Sequence, residues 1–333
     1  MGIMRTLAAI VVLTACAAGC SNSAQPPTTP SPVSSPPPTQ GCSQTSLQLT
    51  ALTDMSGSAY QGQSGGLYPG GSNVAPAGHL SAGMSLAAGI GPLDSTGLPD
   101  PAGRYALVSI GMSNTTQEFQ AFMALAAADS SRDPRLSIVD GAQGGQTAAD
   151  WANPGCACWA TLDSRIRQAG LANAQVAVAW VKLANRQPSG PWPSATMQLK
   201  VDTVRVMQAL AARFLNLRVA YLSSRIYAGY ATTTLNPEPY AYESGLAVRW
   251  VIDDQLNSLL PFSGPSRDAP WMAWGPYLWA NGLTPRSDGL TWACGEFADD
   301  GTHPGTAGRQ KVAEMLLRFF QTDATAREWY VGP

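Results

Sequence analysis

Short apolar runs and longer amphipathic segments alternate along the chain from residue 104 onward. The apolar runs are rich in β-branched and aromatic residues and predict strands at 105–110, 136–139, 175–181 and 217–222. The longer segments predict helices at 115–128, 160–169, 194–214, 242–259 and 306–321. Strands separated by helices in this way are typical of an α/β domain, with a parallel sheet covered by helices on both faces.

The N-terminal segment differs from the rest in composition and predicts export. Arg5 precedes the apolar run 7–15, which is too short to span a bilayer, so residues 1–20 are interpreted as a lipoprotein-type signal peptide. Cys16 ends a lipobox-like Leu-Thr-Ala-Cys, and Cys20 is a second candidate for lipidation. The alternative is a soluble secreted protein whose Cys16 is removed with the signal. Residues 21–40 are rich in Pro, Ser and Thr and predict a disordered linker.

The remaining residues, 41–333, are interpreted as one domain. Its first part, 41–103, is rich in Gly, Ser and Pro and predicts a mostly irregular extension packed on the main body. The group Trp271, Trp274, Tyr277 and Trp279 either contacts substrate or packs in the core.

Composition excludes some functional classes. The net charge is only −2 and no basic stripe is present, so nucleic-acid binding is not expected. The chain has only two histidines, and Cys156-Ala157-Cys158 is spaced more tightly than a usual zinc pair, so no metal site and no cofactor are predicted. Export makes disulfides plausible, and a bridge from Cys294 to Cys156 or Cys158 would brace the loop near His303; Cys42 is the remaining cysteine of the domain, and the pairing stays open.

The loop 299–305 carries one of the two histidines and a nearby carboxylate. A serine nucleophile needs an imidazole to accept its proton, and the imidazole needs a carboxylate to fix its tautomer. Asp300 and His303 lie three residues apart on a turn that Gly301 permits, so one loop can supply both groups. The alternative is an Asp-Gly turn with an incidental histidine. The other histidine, His79, lies in a stretch rich in Gly and Ala that predicts a loop.

Ser113 is the candidate nucleophile because it directly follows a predicted strand and precedes a predicted helix. In parallel sheets, functional groups gather at the carboxyl ends of the strands. Backbone N–H groups at the start of a helix also suit a developing oxyanion. The alternative is that Ser113 only caps the helix. No G-x-S-x-G motif is present, which disfavours the ordinary α/β-hydrolase arrangement.

Four segments together resemble the SGNH (GDSL-like) hydrolase family. DGTHPGTAGRQKVAEML at 300–316 resembles the family's Asp-x-x-His block, and VSIGMSNTTQEF at 108–119 resembles its Gly-Asp-Ser block, with Met112 in place of the Asp. IVDGAQGGQTAADW at 138–151 resembles the block whose glycine donates to the oxyanion. VAWVKLANRQP at 178–188 stands where the family has Gly-x-Asn. The resemblance implies a three-layer flavodoxin-like sandwich with a parallel sheet.

By the same resemblance, each site residue acquires an expected role. Ser113, His303 and Asp300 are expected to form a catalytic triad. Gly145, with Gly144 as an alternative, and Asn185, with Lys182 as its rival, are expected to bind the oxyanion. These roles imply an exported serine esterase at the cell envelope, tethered to the membrane by a lipid and acting on an ester that carbohydrate or envelope material carries. The alternatives are a lipase or thioesterase on the same triad, and a degenerate SGNH-fold surface protein that binds carbohydrate.

Overall fold

The structure is a computed structural model that describes residues 41–332. The proposed signal peptide and linker, with Cys16 and Cys20, lie outside the described residues. The helices are α1 (Ala77–Ala88), α2 (Ser113–Ala128), α3 (Ala148–Trp151), α4 (Ala157–Gln168), α5 (Ser194–Arg213), α6 (Tyr240–Leu256), α7 (Thr306–Thr322) and α8 (Arg327–Tyr330). The strands are β1 (Ala59–Tyr60), β2 (Gln63–Ser64), β3 (Tyr105–Gly111), β4 (Leu136–Val139), β5 (Val176–Lys182), β6 (Val219–Leu222) and β7 (Trp271–Trp274). Over this range, none of the helices combines the length and the apolar character needed to cross a bilayer.

Strands β3 to β7 form one parallel sheet in the spatial order β4-β3-β5-β6-β7. Counted from the first strand of the sheet this is 2-1-3-4-5, the flavodoxin-like order. Every residue of β3 and β5 is buried, as expected for central strands covered on both faces. On the two sides of the sheet, α2 packs with α7 and α5 packs with α6. The predicted fold class is therefore confirmed.

The fifth strand of the sheet, β7, was not predicted. Its four residues, Trp-Met-Ala-Trp, lie between Pro270 and Gly275 and carry bulky side chains rather than β-branched ones. Trp271 and Trp274, together with Tyr277 and Trp279 just beyond the strand, are all buried. Of the two interpretations of this aromatic group, the structure therefore supports core packing.

The extension 41–103 is less irregular than predicted, because it contains the twelve-residue helix α1. His79 lies in the first turn of this helix and not in a loop. Its ring stacks on Trp271 with the centroids 4.9 Å apart, and its Nε2 lies 2.8 Å from the carbonyl oxygen of Met272. Burial lowers the pKa of His79, although the bond to Met272 opposes the shift. His79 thus fastens α1 to β7.

The cysteine pairing differs from the one considered from the sequence. Cys294 is bonded to Cys42, and Cys156 is bonded to Cys158. The first bridge ties the start of the described chain to the turn Cys294–Glu296, which precedes the Asp-His loop. The loop is therefore braced from the N-terminal extension and not from the segment that precedes α4.

Candidate active site

Ser113 lies at the carboxyl edge of the sheet, at the first position of α2. Strand β3 ends at Gly111, and the extended Met112 serves as the N-cap. A side chain at Gly111 would collide with the side chain of Thr115 and the backbone of Lys182, so only glycine lets the chain turn there. The first N–H groups of a helix have no acceptor within the helix, so those of α2 are directed toward the reaction region.

The turn from Asp300 to His303 supplies the other two side chains. Gly301 has a φ of 62° and packs so closely on the backbone of Tyr230 that any side chain there would clash. Asp300 Oδ1 accepts hydrogen bonds from the backbone N–H groups of Thr302 and His303, at 3.0 and 2.9 Å. These bonds fix the carboxylate so that its second oxygen points at the imidazole.

The three side chains form a continuous hydrogen-bonded chain. Ser113 Oγ lies 2.7 Å from His303 Nε2, and His303 Nδ1 lies 2.5 Å from Asp300 Oδ2. The side chains of His303 and Asp300 are 22% and 32% exposed, so solvent reaches the site. Partial burial raises the pKa of Asp300, but the bonds from the His303 ring and the two N–H groups outweigh it and hold that pKa below its ordinary value. Asp300 is therefore an ionised partner for an imidazolium.

Asn114 connects the nucleophile helix to the Asp-His loop, a role that the sequence analysis did not assign. Its side chain is buried, and its Nδ2 donates to the carbonyl oxygen of Thr302 at 2.8 Å. The bond joins residues adjacent to Ser113 and His303, and thus fixes the distance between nucleophile and base. The only sequence signal is an amide directly after the candidate serine.

The turn after β4 places a pair of glycines beside the nucleophile. A methyl-sized side chain at Gly144 would lie 3.9 Å from Ser113 Cβ, whereas the nearest group to such a side chain at Gly145 is the guanidinium of Arg186. Gly145 has a φ of 80°, and its carbonyl oxygen accepts a bond of 2.9 Å from Arg186. Of the two glycines considered from the sequence, Gly144 therefore lies beside Ser113 in space, whereas Gly145 faces Arg186.

Neighbouring side chains hold this glycine turn in place. Ser109 Oγ donates to Asp140 Oδ1 at 2.7 Å and accepts from the N–H groups of Gly141 and Ala142. Arg165 binds the carbonyl oxygens of Asp140 and Ala142, each at 2.8 Å. The turn is therefore a rigid support for donors near Ser113.

The two side-chain candidates for the oxyanion site are both engaged elsewhere. Asn185 Nδ2 donates to Asp202 at 2.9 Å, and its Oδ1 accepts from the N–H of Ala149 at 3.1 Å. Lys182 forms a buried ion pair with Glu118. The structure thus brings Ser113, His303, Asp300 and Gly144 together, but it does not direct a free amide or ammonium of Asn185 or Lys182 at them.

A cavity of about 550 Å³ adjoins the glycine turn and is called here the polar cavity. Its lining includes Thr147, Asn185, Arg186, Gln198 and Asp202. Arg186, which lines the cavity, also donates to the carbonyl oxygen of Gly145, so the cavity wall is bonded to the glycine turn. Its size is in the range of small-molecule sites, and its walls offer several hydrogen-bonding groups.

No protein-family model matches this chain, and no curated protein matches it. Several solved structures are similar to it at low identity. A putative acylhydrolase from Bacteroides fragilis has 13% identity and a TM-score of 0.38, with 74% of this chain and 96% of that chain covered. An alpha/beta hydrolase enzyme from the metagenome of Lake Arreo, Spain, has 15% identity and a TM-score of 0.40, with 70% and 99% covered.

A third similar structure, a protein from Bacillus subtilis, has 14% identity and a TM-score of 0.35. The match covers 67% of this chain and 57% of that one, so this chain spans little more than half of that protein's length. At this level of similarity the activities of these proteins do not transfer, and only this chain's own side chains bear on its function.

Proposed function

We propose that this chain is a serine hydrolase of SGNH type that cleaves carboxylic esters with Ser113, His303 and Asp300. The observation that carries the proposal is the continuous contact from Ser113 Oγ through the imidazole to the Asp300 carboxylate, at 2.7 and 2.5 Å. A serine that only capped α2 would not need an imidazole at hydrogen-bonding distance, nor would an incidental histidine need an oriented carboxylate behind it.

In the proposed reaction, Ser113 Oγ attacks the ester carbonyl carbon while His303 Nε2 takes the hydroxyl proton. The tetrahedral intermediate collapses, the C–O bond to the alcohol breaks, and His303 returns the proton to the departing alcohol oxygen. Water, deprotonated by His303, then attacks the acyl-enzyme, and the acid leaves as Ser113 regains its proton. Asp300 remains ionised and stabilises the imidazolium in both steps.

The oxyanion is assigned to backbone donors. The N–H of Ser113 at the start of α2 and the N–H of Gly144 or Gly145 on the rigid turn are the candidates. A side-chain donor from Asn185 would require its amide to leave Asp202 when substrate binds. Removal of one oxyanion donor typically lowers turnover on the order of 100–1000-fold. Because Asn185 is engaged with Asp202, its replacement by Ala is expected to have a smaller effect than that.

The proposed substrate is an ester on a hydroxyl-rich alcohol, such as carbohydrate or cell-envelope material. The polar cavity beside Gly145 supports this, because Thr147, Gln198 and Asp202 offer donors and acceptors that hydroxyl groups can match. The signal-like segment 1–20, with Cys16 or Cys20 as the lipidated residue, supports a location at the cell envelope.

Covalent labelling tests the nucleophile directly. A fluorophosphonate probe should label the wild-type protein and should fail to label Ser113→Ala, and His303→Ala should react far more slowly. Ser85→Ala is the matched control, since Ser85 is an exposed serine on α1 whose hydroxyl only bonds to its own helix. Labelling that persists in Ser113→Ala would show that the nucleophile is another residue.

A non-catalytic surface protein is the second candidate. The engagement of Asn185 by Asp202 and of Lys182 by Glu118 favours it, because both side chains at the third block are then held by partners outside the triad. Absence of labelling from folded wild-type protein would support this candidate. If labelling occurs, a series of nitrophenyl esters of increasing acyl length distinguishes an esterase for short acyl groups from a lipase or thioesterase.

A further inference from the structure

A second cavity, of about 330 Å³, lies between α5 and α6 and is called here the tryptophan pocket. It is lined by Gln63, Trp192, Met197, Lys200, Trp250 and Asp253, and Asp254 lies at the same wall. Met197 and Lys200 of α5 line the pocket three residues apart, next to Pro193 at the N-cap of the helix, whereas Gln198 and Asp202 of the same helix line the polar cavity. The two cavities thus lie against the same helix.

Two indole rings form the walls of the tryptophan pocket. The ring centroids of Trp192 and Trp250 are 5.7 Å apart, and the planes are inclined at 54°. Neither ring is fully buried. Trp250 Nε1 donates to Gln63 at 3.1 Å, and Tyr60 packs edge-on against Trp192 at 5.3 Å. Both rings are therefore held in fixed orientations with part of their surface open to the cavity.

Charged groups of both signs lie beside these rings. Lys200 Nζ is paired with Asp254 at 2.7 Å. Asp253 Oδ1 is buried and has no hydrogen-bond partner among the residues of 41–332. Lys200 and Asp254 offset each other's charge, and burial raises the pKa of the Asp253 carboxyl, which disfavours its charged form, so the pocket offers hydrogen-bonding groups and no strong field of either sign. The Asp253 side chain is half-buried and lines the pocket, so a ligand hydroxyl can donate to the part of its carboxyl that faces the cavity.

We propose that the tryptophan pocket binds a neutral sugar ring of an oligosaccharide. The apolar C–H face of a pyranose fits against an indole, and its hydroxyl groups donate to Asp253 and accept from Lys200. Binding at this pocket does not depend on the triad, so the inference stands apart from the proposed ester hydrolysis. Both cavities lie against α5, so a longer chain that follows the surface of this helix can reach both.

Calorimetry on the Ser113→Ala protein tests the inference without turnover. The probes are the hexaoses of cello-, xylo-, manno- and chito-oligosaccharide series, each tested up to about 5 mM, where weak specific binding is measurable. At least one is expected to bind. Trp192→Ala and Trp250→Ala should each weaken that binding about tenfold or more, since each removes one stacking surface. Leu215→Ala, an exposed apolar residue outside both cavities, is the control and should not change it.

Three results would overturn the inference: no hexaose binds, binding is unchanged in both tryptophan variants, or tetramethylammonium binds more tightly than every hexaose. The last result would identify a cation cage instead. Circular dichroism establishes whether each variant is folded. If Trp250→Ala is unfolded, Trp192→Ala and Asp253→Asn test the pocket instead. Both variants are expected to fold, because Trp192 lies before α5 and Asn has the same shape as Asp. Fluorophosphonate labelling of Ser113 is a separate measurement that does not depend on sugar binding. A failure of the sugar-binding proposal is therefore distinguishable from a failure of the proposed hydrolase activity.

Discussion

The buried ion pair beneath the nucleophile helix gives the sharpest quantitative prediction. Glu118 of α2 is 0% exposed and Lys182 at the end of β5 is 1% exposed, so neither charge is solvated by bulk water. Replacing Glu118 by Gln leaves the ammonium without its counter-charge, which typically costs about 3–5 kcal/mol in a protein interior. With an unfolding entropy of about 2.1 cal/mol/K per residue and roughly 290 residues in the domain, we expect the melting temperature to fall by roughly 5–8 °C.

The double variant separates the charge effect from a packing effect. Glu118→Leu combined with Lys182→Met replaces both charges with apolar groups of similar volume, and such replacements are often close to neutral, within about 1–2 kcal/mol. In the cycle formed by Glu118→Leu, Lys182→Met and the double variant, each single change leaves a buried charge unpaired, so the coupling energy should be at least about 2 kcal/mol. Denaturant unfolding followed by tryptophan fluorescence at pH 7 measures each term. Glu314→Gln is the control, because Glu314 is exposed on α7 and should change stability by less than about 0.5 kcal/mol.

The pH dependence of the free energy of unfolding, measured on the same variants, gives a second check. Burial lowers the pKa of Lys182 to about 8, although Glu118 opposes that shift. Between this pKa and the ordinary value of about 10.4, the unfolded chain binds more protons at this site, so the Lys182 contribution to stability rises with pH. Without Glu118 the pKa of Lys182 in the folded state falls further, and the rise in the free energy of unfolding should begin at lower pH. The reasoning is refuted if the stability of Glu118→Gln lies within about 1 kcal/mol of wild type, or if the stability loss of the double variant equals the sum of the losses in Glu118→Leu and Lys182→Met.

Three further predictions concern the site and its supports. Asn114→Ala removes the bond to the Asp-His loop, and kcat on a nitrophenyl ester should fall about 10–100-fold because the nucleophile and base are no longer held in register. Asp300→Asn should lower kcat by about 10³–10⁴-fold, because the imidazole is no longer held in the required tautomer. In the wild type, the lowered pKa of Asp300 keeps its carboxylate ionised below the ordinary titration range. Loss of activity on acidification to about pH 4 should therefore not come from protonation of Asp300. Loss of the Cys42–Cys294 bridge should cost about 2–5 kcal/mol, measured as a shift in the denaturant midpoint of a Cys42→Ser variant.

Each of these predictions has a matched comparison. Gln310→Ala, on the exposed face of α7, should retain kcat, and equal losses in this variant and Asn114→Ala would contradict the positioning role. For Asp300→Asn, unchanged kcat would remove the carboxylate from the mechanism. Cys156→Ser opens a bridge that spans two residues and should cost only about 1–2 kcal/mol, so a larger effect than in Cys42→Ser would contradict the loop-entropy reasoning.

The parallel α/β fold was predictable because the pattern that specifies it is local. The apolar runs at β3, β4, β5 and β6 are continuous and short, and the helices between them have clear amphipathic spacing. Strand β7 was missed for the opposite reason. Its Trp-Met-Ala-Trp sequence has no period within four residues, and it becomes a strand by pairing with β6. Helix α1 was missed because its Gly and Ser content weakens the helical signal that packing on β7 and β6 supplies.

The sequence by itself placed Ser113 between a strand and a helix, and it placed Asp300 and His303 on one turn permitted by glycine, because these arrangements depend on neighbours a few residues apart. It could not decide how Asn185 and Lys182 are used, since each is engaged by a partner on another element, Asp202 of α5 and Glu118 of α2. The disulfide pairing and the burial of the aromatic residues were likewise decided by contacts between distant segments. Local pattern determines where a side chain stands along the backbone, but only tertiary packing determines which distant group it meets.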